Sequence, residues 1–140
     1  MSFVDTDVPV YAAADSAPFH DRARAALIRL AVSERLSISR QILHDHLAVM
    51  TRQQTWGKPL TLMEAIADAA AFTNRFDVLE DGRAVWDQLC ELSRNCAIAG
   101  RQVHDANIAA TMLADGERRL LTFNTGDFQR FGALIELAAA

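Results

Sequence analysis

Leu120-Leu121-Thr122-Phe123-Asn124-Thr125-Gly126-Asp127-Phe128 decides how this chain folds. Two leucines and a β-branched threonine describe a buried strand, and Asn, Thr and Gly then break it into a turn that carries an aspartate. A second apolar run, Ser2-Phe3-Val4, ends in the same way on Asp5. In open parallel sheets, ligands bind beyond the carboxyl ends of the strands. Carboxylates delivered at two strand ends therefore predict one shared site.

Working outward, short apolar strands alternate with helices. After Asp5, Thr6 or Asp7 is placed to cap a helix whose first turn accepts Pro9. A helix after Ser16 carries Ala23, Leu27 and Leu30 on one face. Residues 36–39 form a strand, and Ser39 caps a helix bearing Ile42, Val49 and Met50. Thr61 and Glu64 stand at capping-box spacing before a helix with Ile66, Ala69, Ala70 and Phe72 inward. Residues 76–80 make a third strand, followed by a helix with an apolar face of Val85, Trp86, Leu89 and Cys90. A helix over 103–114 closes at Gly116, and strands over 120–124 and 133–137 complete the set. Five short strands alternating with helices predict an α/β three-layer sandwich: a central, mostly parallel sheet with helices on both faces. No repeat, linker or low-complexity tract interrupts it, so residues 1–140 are read as one domain.

At 140 residues, 51% hydrophobic content and a net charge of −4, the composition is that of a globular protein and gives no support to broad, salt-driven nucleic-acid binding. No apolar run approaches the roughly 20 residues of a membrane helix, and no leader pattern opens the chain, so a cytoplasmic setting is expected. Cys90 and Cys96 lie six residues apart in one helix, on different faces, as free thiols. Thirteen of the 14 basic residues are Arg, and Lys58 is the single Lys.

Two further aspartates fall where the pattern expects apolar residues. Asp45 lies three residues after Ile42 and four before Val49; Asp105 lies three before Ile108 and seven before Met112. A carboxylate on an inward helical stripe is costly unless a cation or hydrogen-bond donors meet it. Capping explains Asp105 or Asp127 singly, and an Arg such as Arg40 or Arg52 would pair with Asp45. Four aspartates at strand ends and adjoining helix faces also match the oxygen ligands that Mg²⁺ requires. The histidines are less informative: His44 and His46 point to different faces, and with His20 and His104 they read as surface or half-buried polar residues, without a zinc pattern.

These residues together resemble PIN-domain ribonucleases of the VapC toxin type, from toxin–antitoxin pairs. The resemblance spans the chain through Val4-Asp5-Thr6, Ser39-Arg40-Gln41-Ile42 with its acidic residue at 45, Val103-His104-Asp105-Ala106 with Ile108-Ala109-Ala110, Leu121-Thr122-Phe123-Asn124 and Gly126-Asp127-Phe128. It implies a catalytic acidic cluster of Asp5, Asp45, Asp105 and Asp127, with Asp5, Asp105 and Asp127 as metal ligands. Thr6, Thr122 and Asn124 match polar positions that orient ligands, water or phosphate. The family usually carries Glu where this chain has Asp45, so the shorter side chain brings its helix closer or acts through water. One or two Mg²⁺ or Mn²⁺ ions would activate a water for endonucleolytic attack on RNA, with Arg40, Arg52 and Arg101 as candidate guides for the strand. A homodimer and a cognate antitoxin protein are the implied partners.

Two rivals share these residues. Val4-Asp5-Thr6-Asp7-Val8 is similar to the opening motif of haloacid-dehalogenase-type phosphohydrolases, with Asp5 as nucleophile and Asp7 as acid/base. That chemistry needs a later Lys, and Lys58 sits in a turn beside Pro59; Asp7 is read as a helix cap instead. The other rival is a non-catalytic PIN-like binding or regulatory module.

Overall fold

The computed structural model describes residues 1–140. Strand β1 (Ser2–Val4) lies at the centre of the sheet, and β2 (Leu36–Ser39), β3 (Asp77–Leu79), β4 (Arg119–Thr122) and β5 (Glu136–Ala139) set the order β3-β2-β1-β4-β5. Every pairing is parallel, with Phe3 opposite Ser37 on one side and Leu120 on the other. The strands are short and apolar because helices cover both of their faces: Phe3, Val4, Ile38, Leu120 and Leu121 are fully buried.

Helices α1 (Asp7–Ala13) and α2 (His20–Ser33) connect β1 to β2, and α3 (Arg40–Thr51) and α4 (Leu62–Thr73) connect β2 to β3. The chain then returns through α5 (Arg83–Asn95) and α6 (Gln102–Ala114) to β4, on the far side of β1, and steps through α7 (Thr125–Phe128) and a 3-10 segment (Gln129–Leu134) to β5. Right-handed crossovers put α1–α4 on one face and α5–α7 on the other, because the direction of travel across the sheet reverses. The reversal falls between β1 and β4. A crevice opens at such a switch point, where β1 runs into Asp5 and β4 ends on Thr122.

Local chemistry fixes the helix ends. The capping box forms at α4, where Thr61 Oγ1 accepts from Glu64 N at 3.2 Å and Glu64 Oε1 accepts from Thr61 N at 3.1 Å. At the end of α6 the Glu117 N–H reaches Met112 O and the Gly116 N–H reaches Leu113 O, a Schellman closure that requires the left-handed Gly116 (φ +79°).

Several expectations change. Ser39 does not cap α3; its hydroxyl is buried without a partner among the described residues. In α4 only Ala65 is buried, and Ile66 faces solvent because the helix lies at the periphery, against α3. Trp86 is 63% exposed, and α5 instead buries Val85 and Leu92. The last strand begins three residues late, since Gly132 (φ +54°) kinks residues 129–134 into 3-10 turns. His46 is fully buried between α3 and α4, edge-on to Phe72 at 4.8 Å, and burial pushes its pKa down to about 4. Cys90 and Cys96 are free, as expected. Among the described residues no helix is long and apolar enough to cross a membrane.

At the amino end of the sheet, Glu34 accepts from Ser2 Oγ at 2.8 Å and Arg119 Nη1 at 3.2 Å. Burial raises its pKa, but Ser2, the Met1 ammonium at 3.2 Å and Arg119 together outweigh it, and the carboxyl sits below its ordinary range. A depressed carboxylate stabilises the fold above its unfolded pKa and loses that contribution as pH falls through the folded one. Glu34→Gln is expected to cost about 1–2 kcal/mol at pH 7. The difference from wild type should begin to shrink as pH falls through the ordinary Glu pKa of about 4.3 and vanish only below the depressed folded value, as read by urea unfolding across pH.

Candidate functional site

Asp5 leaves β1 directly into the crevice. Its backbone N–H donates to Leu121 O at 3.0 Å, which continues the sheet by one residue and fixes where the side chain emerges. Oδ1 accepts from Thr6 N at 2.7 Å and Oδ2 from Thr122 Oγ1 at 2.8 Å, and the residue as a whole is 7% exposed. Thr122 Oγ1 in turn accepts from Asn124 N at 2.9 Å, so one buried hydroxyl ties the end of β4 to Asp5. Thr122→Val keeps the shape and removes that hydroxyl. A stability loss of about 1–3 kcal/mol is expected from the two orphaned partners, and a fall in site activity of roughly 10–100-fold from the loosened carboxylate. Calorimetry and turnover measured together would check both.

Asp7 corrects the sequence reading. It is the first residue of α1 but does not cap it: Oδ2 reaches across to Phe123 N at 3.1 Å and Asn124 Nδ2 at 2.9 Å, while Oδ1 is buried with no partner among the described residues. Asp7 therefore pins the opening turn to β1 and leaves one acceptor unsatisfied. Sequence reasoning missed it because aspartate at a helix start already has a common explanation.

Asp45 from α3, Asp105 from the first turn of α6 and Asp127 from α7 line the same cleft, a cavity of about 830 Å³ that also takes in Thr6, Asn124 and Asp7. Neither Asp105 nor Asp127 occupies a cap position. Asp45 forms no ion pair with Arg40, whose guanidinium is held by both oxygens of Glu80 at 2.8 Å. Arg40 thus leaves the set of cleft residues, whereas Arg52 and Arg101 line it, and so does Arg130, which the sequence did not single out.

The electrostatics bind these residues into one group. Burial pushes Asp5 up to about 6, with the charges of Asp105 and Asp45 adding to it against the bonds from Thr122 and Thr6. Burial and the neighbouring Asp5 push Asp7 up to about 7. Asp105 is raised by burial and then by Asp127, with Arg130 and His104 opposing. Asp45 is raised by burial, against the pull of His104. Crowded, desolvated carboxylates of this kind hold excess negative potential that a cation relieves.

Among the described residues no three His, Cys, Asp or Glu side chains sit close enough to grip one metal ion directly. The donor set nonetheless fits a hard, hydrated cation, which keeps several waters and takes one or two carboxylates. The buried, unpartnered Oδ1 of Asp7 beside Asp5 is the kind of acceptor such a hydrate satisfies.

Residues 2–134 match the family described as PIN domain, and the chain belongs to that family. It is 27% identical over 133 residues to Ribonuclease VapC24 of Mycobacterium tuberculosis, covering 94% of this chain and 92% of that protein. Among solved structures, VapBC2 from Rickettsia felis, bound to a DNA fragment from its promoter, superposes with a TM-score of 0.75 at 21% identity over 99% of this chain and 98% of that one. The sarcin-ricin-loop-cleaving toxin VapC20 of Mycobacterium tuberculosis gives 0.74 at 19% identity, covering 94% and 95%.

Proposed function

We propose that this protein is a divalent-metal-dependent endoribonuclease of the VapC type, one PIN domain over residues 1–140, that works in the cytoplasm as the toxin of a toxin–antitoxin pair. The observation that carries the reading is the convergence of Asp5, Asp45, Asp105 and Asp127, from four separate elements, on one cleft at the carboxyl ends of β1 and β4. The ribonuclease name of the relative supports RNA as substrate. The VapBC and toxin–antitoxin complexes among the similar structures support a cognate antitoxin as partner, and a homodimer is what the family resemblance implies.

Asp5 and Asp105, with Asp127 and Asp45 acting through water, would hold Mg²⁺ or Mn²⁺. Bound there, the ion lowers the pKa of a water and neutralises charge on the phosphate. The chain's own residues supply the rest: Thr122 and Thr6 fix the Asp5 carboxylate, Asp7 and Asn124 fix the turn that carries Asp127, and the cleft's arginines meet the strand. The phosphohydrolase alternative is left without a lysine beside Asp5. Asp7 is engaged by Phe123 and Asn124, and Lys58 lines a separate cavity with Glu64 and Asp68.

Cleavage of bulk tRNA and rRNA with Mg²⁺ or Mn²⁺ tests the reading. Wild type is expected to cut and to stop in excess EDTA, and Asp105→Ala to lose roughly 100-fold or more. Cutting that survives both EDTA and Asp105→Ala would refute a metal site. Antitoxin-like capture of the protein without any cleavage would favour the non-catalytic module.

A further inference from the structure

Beside the cleft, aromatic rings from three segments form a short stack that the carboxylates do not use. Tyr11, from α1, lines the cleft; its ring meets Phe123 edge-on at 5.4 Å, and Phe123 stacks on Phe19 at 5.2 Å with 15° between the planes. Phe123 follows Thr122, which holds Asp5, and its own N–H donates to Asp7, so the stack is joined to the site through one residue. The Arg22 guanidinium lies 5.1 Å from the Phe19 ring and 5.5 Å from the Phe123 ring, and it donates to Ala140 O at 2.6 Å. With the rings themselves 5.2 Å apart, these separations make a nearly equilateral triangle, which places Arg22 beside the pair rather than beyond Phe19. Tyr11, 6.2 Å from Phe19, flanks the pair in the same way. Phe19 therefore ends the stack: one face lies on Phe123, and the residue remains 50% exposed.

Phe19 holds this pose at a cost. Among the described residues it is the single non-glycine with a positive φ (φ +58°, ψ +19°), a left-handed conformation that bulky L side chains rarely adopt. Its surroundings fix it there: its carbonyl accepts from Ala23 N at 2.8 Å, and the adjacent His20 Nδ1 donates to Tyr11 O at 2.8 Å. A ring kept half in solvent on a strained backbone adds little to the core, and strain of this kind points to a role for the exposed face. Every base has a π-face, and unpaired bases stack on Phe and Tyr with little regard to sequence. Resting on the nuclease reading above, we propose that the outer face of Phe19 is a stacking platform for an unpaired base of the RNA strand, close to the phosphodiester that is cut. The cleft then meets the backbone and the platform takes a base. A single-stranded segment satisfies both at once; a duplex, whose bases are already stacked on one another, does not.

The test compares wild type, Phe19→Leu, Phe19→Trp and Phe19→Asn. Binding of two probes of equal length, single-stranded oligo(A) and the abasic ribose-phosphate chain, is measured in Ca²⁺ across a salt series, and single-turnover cleavage of tRNA is measured in Mg²⁺. Wild type should prefer oligo(A) by about tenfold or more, and Phe19→Leu, which keeps apolar bulk without a π-face, should lose that preference. Phe19→Trp should retain it. Because stacking carries no charge, the slope of log affinity against log salt should be the same in all four proteins. Cleavage by Phe19→Leu should fall roughly tenfold with the lost contact. If wild type shows no preference for oligo(A), or Phe19→Leu keeps it in full, the proposal is overturned while the nuclease reading stands on its own cleavage. If wild type cuts no RNA but its base preference vanishes in Phe19→Leu, the nuclease reading fails and the platform remains. Should Phe19→Leu not fold, Phe19→Asn decides by the same comparison, since Asn tolerates the left-handed backbone. A Phe19→Leu protein that binds both probes as wild type does, yet loses affinity for its cognate antitoxin, would overturn the proposal by assigning this face to a protein partner.

Discussion

Asp5→Asn is expected to abolish RNA cleavage, by about 1,000-fold or more, while leaving the fold intact. The substitution is nearly isosteric, and the amide still accepts from Thr6 N and meets the Thr122 hydroxyl. It removes only the charge, and that charge is what a cation requires. In the protein without metal the same charge is a burden, desolvated and repelled by Asp105 and Asp45. In EDTA, Asp5→Asn should therefore unfold a few degrees above wild type, the opposition of stability and activity expected at a strained site. A variant with wild-type cleavage would remove Asp5 from the mechanism. A variant that is inactive and also less stable would reduce Asp5 to a structural role.

Phe128→Ala should cause the largest loss of stability. Phe128 is 1% exposed and packs against Phe131 at 6.1 Å between centroids. It follows Asp127 and precedes the Arg130 segment, so one ring anchors both sides of the cleft's outer wall. Truncating a buried Phe costs about 3–5 kcal/mol, a third or more of an ordinary domain's stability. The thermal midpoint should fall by about 10 °C or more. Activity should fall even where the variant remains folded, because the turn loses its anchor; Phe128→Leu should recover most of both. A midpoint drop under 5 °C would show that the turn is held by Asp7 and Asn124 rather than by this ring.

The two strand-to-turn signals, at Asp5 and at Asn124 to Asp127, were legible because a parallel sheet converts local sequence into position: every strand end points to one edge. The helix-face aspartates at 45 and 105 were legible because they violate a periodicity that core packing enforces. Asp7 and Arg130 gave no such signal. An aspartate opening a helix and an arginine in a surface-like turn break no pattern: Asp7 finds its partner 117 residues away at Asn124, and Arg130 lines the cleft only because α6 and α7 form its walls. The inward faces of α4 and α5 were misread because each has more apolar residues than its neighbours can cover, so that Trp86 and Ile66 remain in solvent.

By itself the sequence determined the alternation of strands and helices, the helix caps at Thr61 and Gly116, and the four aspartates that carry negative charge to one edge. These follow from backbone preference and hydrophobic period, which act over a few residues. The tertiary structure decided which carboxylates share burial, that Arg40 turns away to Glu80, and that Asp7 and Arg130 belong to the cleft. Those outcomes depend on desolvation and charge between distant segments, energies that arise only once the sheet order brings β1 beside β4.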